Sequence, residues 1–156
     1  MIGAALLLAF VLDSVLAGTI INRVVVEFPA RRRIGYIAYA DYTRAADLAN
    51  GLWLYPMLAI GSLIFELIAL VLALTGHFPS KLLTPVALAL LWGLGVMGTT
   101  ALAAPVMLRL GKTENKEELV TPLLERFVKI NYLRAVFIWF QWVSLLWALY
   151  EVVTVV

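Results

Sequence analysis

Four long stretches of the chain run apolar with almost no break, at about 2–26, 48–74, 85–108 and 133–156. Each exceeds the roughly 18 residues that mark a membrane-spanning candidate. None alternates in polarity as the strands of a membrane barrel do. A continuous helix satisfies its own backbone hydrogen bonds in lipid. The pattern therefore predicts an all-α, integral membrane four-helix bundle, one four-span domain over residues 1–156. Val15-Leu16-Ala17 loosely suits a cleavage site, but the first charge is Asp13 and the apolar region is long for a signal peptide, so a retained helix is expected.

Punctuation along the chain sets the expected boundaries. Thr84-Pro85 and Thr121-Pro122 each place a capping hydroxyl before a proline suited to the first helical turn, so helices are expected to start there. The fourth helix would then begin outside the membrane. Segment 27–47 carries Arg31, Arg32, Arg33 and Arg44, and segment 109–134 carries six more cations, whereas the Thr75 to Lys81 loop carries only Lys81. The positive-inside rule puts the two basic loops in the cytoplasm and both termini on the non-cytoplasmic side. The Phe28 to Asp47 stretch mixes Tyr36, Tyr39 and Tyr42 with arginines, which suits either a short interfacial helix on anionic headgroups or an ordinary loop.

Composition agrees with this pattern and narrows the chemistry. Hydrophobic residues make up 63% of the chain, charged residues 14%, and the mean hydropathy is +0.97. Soluble domains are about half apolar and about one quarter charged. A soluble enzyme, a nucleic-acid partner and a disordered chain are thereby disfavoured. The absence of cysteine excludes disulfides, thiolate metal sites and thiol catalysis. The one histidine, His77, rules out a multi-histidine metal site within one chain and reads as a solvated loop residue. No metal and no cofactor are expected.

Periodicity singles out the polar residues inside the spans. Ala5, Ala9, Asp13 and Ala17 recur every four residues; Tyr55, Ala59, Ser62, Glu66, Ala69 and Ala73 follow alternating steps of four and three. Arg134, Phe137, Gln141, Ser144, Ala148 and Glu151 share a face of the last span, and Gly95, Thr99 and Ala103 one of the third. Small residues in membrane helices mark close helix contact, so Asp13 and Glu66 are expected to face the bundle interior. At 1.5 Å per residue they sit roughly 16 Å and 12 Å in from the outer ends. An ionised side chain at mid-bilayer costs at least about 2.5–3.5 kcal/mol, which makes two acids there candidates for acid–base work, with neutral hydrogen-bonded clamping as the plainer account.

The remaining candidates have a substrate-binding role. Tyr55 and Gln141 would orient a substrate, while Asn131 and Arg134 would polarise it near the basic end. Asn50 and Asn131 read equally as helix caps or bridges, and Arg23 and Arg134 as snorkelling cations. Trp92 and Trp142 lie deeper than Trp53, Trp139 and Trp147, and either line an aromatic pocket or pack.

The order of features resembles the small four-helix membrane proteins related to anthrone oxygenases, many known only as a domain of unknown function. The matching pieces are Leu16-Ala17-Gly18, the Pro29 to Gly35 basic loop, Arg44 to Tyr55-Pro56, and Asn131-Tyr132-Leu133-Arg134. The resemblance implies a cofactor-free, oxygenase-like enzyme acting on an aromatic, polyketide-like phenol or anthrone. A base would generate a carbanion or phenolate that reacts with oxygen directly. Asn131 and Arg134 are the carried-over positions, binding or polarising the substrate oxygen. Asp13 and Glu66 rest on the burial argument alone.

Two further classes fit the same sequence. One is a non-catalytic subunit of a larger energy-converting or photosynthetic membrane complex; the other is a small proton-coupled exporter working as a dimer, a homo-oligomer of this chain. All three place the chain in a cell membrane as a multi-pass protein, in the manner of a bacterial inner membrane. Membrane lipids and a lipophilic small molecule are its expected partners.

Overall fold

The computed structural model describes residues 1–76 and 80–155; His77 lies outside them. The chain forms α1 (Ile2–Asn22), a π turn (Arg23–Glu27), α2 (Phe28–Ile34), α3 (Tyr36–Asp47), α4 (Gly51–Thr75), α5 (Ser80–Lys112) and α6 (Glu117–Val155). No strand occurs among the described residues. Four helical segments are long and apolar enough to cross a membrane: Ile2–Ile34, Gly51–Thr75, Ser80–Lys112 and Glu117–Thr154. The side chains on their outward faces are mostly leucine, isoleucine and valine, with some aromatics, exposed as a lipid-facing surface requires: Leu7, Val11, Val15, Ile60, Ile64, Leu67, Val136 and Phe140 among them. The protein is a multi-pass membrane helix bundle.

The first span runs on past residue 26. In an unbroken α-helix the Pro29 ring would meet the carbonyl of Val25. The π turn over Arg23–Glu27 widens the backbone just before it, and the chain continues as α2 with Pro29 in its first turn. Gly35, at φ 89° and ψ 155°, then breaks the helix in a region essentially restricted to glycine, and α3 folds back. The tyrosine-rich stretch is therefore helical, and it packs on the bundle: Tyr39, Ala40, Thr43 and Asp47 are all buried. Arg44 pins it there. Its Nε and Nη2 donate to the Leu110 and Thr113 carbonyl oxygens at the end of α5, at 3.0 and 2.7 Å, and its Nη1 reaches Asp41 and Asn115.

Two expected helix starts move. α5 begins at Ser80 rather than at Thr84-Pro85, and α6 at Glu117 rather than Thr121-Pro122. In α6 the Lys116 carbonyl accepts the Leu119 and Val120 N–H groups, both at 3.0 Å, and Glu117 and Glu118 meet the positive end of the helix. These outweigh the Thr121-Pro122 signal. Each proline then sits in the second turn and forfeits one backbone hydrogen bond.

The small-residue stripes face inward as expected. Ala5, Ala9, Ala17, Ala59, Ser62, Ala69, Thr99, Ala103, Ser144 and Ala148 are all buried. Three apolar clusters stack along the bundle: Phe28, Tyr39, Leu110, Leu124 and Phe127 at the basic end, Leu16, Ile20, Val96 and Ile138 in the middle, and Leu6, Ala69, Val86 and Leu145 at the far end. Polar side chains occupy the levels between them.

Candidate functional site

The first polar level joins α1, α4, α5 and α6. Asp13 and Glu66 are both 0% exposed. Ser62 Oγ donates to the Ala9 carbonyl (3.2 Å), which sets the register of the antiparallel pair α1 and α4. Asp13 lies one turn beyond Ala9 toward the basic end; Glu66 lies one turn beyond Ser62 toward the far end. Helical side chains lean toward their own N-terminus, so the two carboxyls bend back toward that shared level from opposite sides. Glu66 Oε1 accepts from Gln141 Nε2 at 2.6 Å and is 3.1 Å from Ser62 Oγ. Glu66 Oε2, both Asp13 oxygens and Gln141 Oε1 are buried without a hydrogen-bond partner. Gly93 of α5 covers the group. A Cβ there would stand 2.9 Å from Glu66 Oε2, 3.0 Å from Gln141 Nε2 and 2.7 Å from Leu63 Cδ1.

The second level lies at the basic end, about 10 Å away by the seven-residue spacing from Ser62 to Tyr55. Here a pocket of about 120 Å³ opens between α4 and α5, walled by Leu52, Pro56, Ala104, Met107 and Leu108 and floored by Arg23, Asp47, Tyr55 and Arg134. The π turn aims Arg23 inward, where it pairs with Asp47 and donates to Tyr55 Oη at 3.1 Å, its guanidinium 5.2 Å above the Tyr55 ring. Burial pushes the Asp47 carboxyl above the usual carboxylate range, against the pull of the Arg23 guanidinium. Asp47 Oδ2 is buried with no donor.

Arg134 is 7% exposed, and among the described residues no carboxylate lies within ion-pair distance of it. Its Nη1 donates to Asn131 Oδ1 and its Nη2 to the Thr99 carbonyl, both at 3.2 Å; its Nε has no acceptor. Asn131 is anchored in turn by donating from Nδ2 to the Phe127 carbonyl at 2.8 Å. Arg23 and Arg134 are thus buried rather than snorkelling: side-chain and backbone partners inside the bundle take the place of water.

The expected residues fall into two groups. Asp13, Glu66 and Gln141 meet at the first level; Tyr55 and Arg134 line the pocket, with Asn131 behind Arg134. Asn50 is exposed at the N-terminus of α4, where its backbone carbonyl accepts from Leu54, and it does not line the pocket. Trp142 packs on Phe10 and Trp139 and donates to Ser14 Oγ at 2.9 Å. Trp92 stacks on Phe137 and Phe140. Asp47 and Arg23 are the site residues that sequence reasoning passed over as binding groups. No protein-family model, curated protein or solved structure matches the chain.

Proposed function

We propose that the protein is a membrane enzyme that binds a lipophilic aromatic molecule carrying an acidic hydroxyl or enolisable group in the Arg134 pocket and removes a proton from it. One observation carries this reading. A buried guanidinium with no carboxylate partner and a buried carboxylate oxygen with no donor border the same apolar-walled pocket. Arg134 holds the oxyanion through charge-assisted hydrogen bonds, and Asn131 fixes the guanidinium that does so. Asp47 Oδ2 takes the proton; its raised carboxyl is a better base than an ordinary aspartate. Tyr55 orients the ring against Pro56 and Leu52. The opening between α4 and α5 lets such a substrate arrive from the lipid.

The resemblance to anthrone oxygenases supports the aromatic substrate class. There the carbanion meets dioxygen, so that a ring methylene and O2 become a carbonyl and one water. The basic loops support an orientation with the pocket at the cytoplasmic side of a cell membrane, such as a bacterial inner membrane, and both termini opposite.

The test is a titration of the full chain in lipid nanodiscs with a hydroxyanthrone whose anion absorbs at longer wavelength than the neutral form. Wild type should bind and ionise it. Arg134→Gln should weaken binding by about ten- to a hundredfold, the worth of a hydrogen bond to a charged group. Asp47→Asn should bind without ionising it. Equal binding by Arg134→Gln would overturn the reading.

A further inference from the structure

Hydrogen atoms are in short supply at the Asp13–Glu66 level. Its acceptors are four carboxyl oxygens, Gln141 Oε1 and the Ala9 carbonyl. Its donors are the Ser62 hydroxyl, whose single hydrogen faces both Ala9 O and Glu66 Oε1, and the Gln141 amide. Four of the acceptors have no partner although they are buried, and Gln141, 3% exposed, is one of the groups left incomplete. A buried acceptor without a donor is destabilising, and more so when charged. Among the described residues no cation is at hand to compensate. Glu66 is the only charged residue of α4, and none of the ion pairs among the described residues includes Asp13 or Glu66. Along α1 the nearest cation is Arg23, ten residues on; along α6, Arg134 and Glu151 lie seven and ten residues from Gln141; along α5, Lys81 lies twelve residues from Gly93. Asp13 has Glu66 as its electrostatic neighbour.

We propose that Asp13 and Glu66 form one proton-binding site in the middle of the bundle, in which at least one carboxyl carries a hydrogen at neutral pH and donates it to the other acid or to Gln141 Oε1. Each proton added turns an orphan acceptor into a donor and removes a charge from the membrane interior. Loading and release also change the bonds that hold α1 against α4 and α6, so the site suits a proton-coupled step. It stands independently of the pocket at the basic end.

The experiment uses the full chain reconstituted in liposomes. Infrared spectra near neutral pH should contain the carbonyl stretch of a protonated carboxylic acid, shifted in heavy water and reduced or lost in Asp13→Asn and Glu66→Gln. Dicyclohexylcarbodiimide, a lipophilic reagent for protonated carboxyls, should label Asp13 or Glu66 by peptide mass spectrometry. Labelling should fall about tenfold per pH unit above the apparent pKa of the pair and be unaffected by sodium or calcium. Wild-type labelling and spectra decide the matter even if a variant fails to fold. Absence of both signals, or protection by sodium or calcium, would overturn the proposal, the latter in favour of a metal cation between the acids.

Discussion

Arg23 and Asp47 form a buried ion pair that ties the π turn after α1 to the last residue of α3. Removing Arg23 strands the Asp47 carboxylate in the pocket floor, whereas removing Asp47 leaves Arg23 with Glu27, 3.6 Å from its Nε. Arg23→Met should cost about 3–5 kcal/mol, Asp47→Leu less, and the double substitution less than Arg23→Met alone. Denaturant titrations in detergent micelles would measure this, and additive losses would show that the pair is not coupled.

Gly93 and Gly98 lie on the same helix but should answer alanine differently. At Gly93 the new methyl meets Leu63, Glu66 and Gln141 within 3.0 Å, so Gly93→Ala should destabilise by about 1–3 kcal/mol, as overpacking does. At Gly98 nothing lies within 4 Å, and alanine there should be neutral or slightly stabilising. Thermal melts of the two variants side by side are sufficient.

Gly35 holds a backbone conformation that alanine adopts only under strain. Gly35→Ala should cost about 1–3 kcal/mol and loosen α3 first. Hydrogen exchange should rise in α3 while the middle of α4 stays protected.

Much of this was legible in the sequence, for a physical reason. Steps of three and four in α1, α4 and α6 put Asp13, Glu66 and Gln141 on inward faces, and lipid tolerates no other place for them. The Arg134 floor was hinted at by the same periodicity. Asp47 escaped because it stands in a polar segment beside alanines, where a carboxylate reads as solvated; only the fold of α3 against α5 and α6, beside the π turn, buries it. The π turn has no signature of its own beyond a proline six residues after Arg23. The start of α6 was misjudged because its Thr-Pro capping signal competes with an acidic first turn, which prevailed; the first turn of α5 holds no acid, and nothing in its sequence marks the earlier start.

Arg44 makes a similar long-range contribution. Its bonds to Leu110, Thr113, Asp41 and Asn115 fasten α3 to the α5–α6 corner. Arg44→Ala should cost about 1–3 kcal/mol by freeing two carbonyls, and Arg44→Lys should recover only part, since one ammonium cannot span that fork. Urea titration with α3 proteolysis as a second readout would check both.

The widened turn at Arg23–Glu27 also fixes a phase. Wound as an ordinary α-helix, the same residues would swing everything after them by about 100°. Arg31 would then leave Glu125, which it holds at 3.0 Å, and the lid formed by α2 and α3 would face away from the corner it closes. The wider winding takes up one supernumerary residue, so excising one of Val24, Val25 or Val26 would restore an ordinary turn while keeping α2 and α3 close to their present phase.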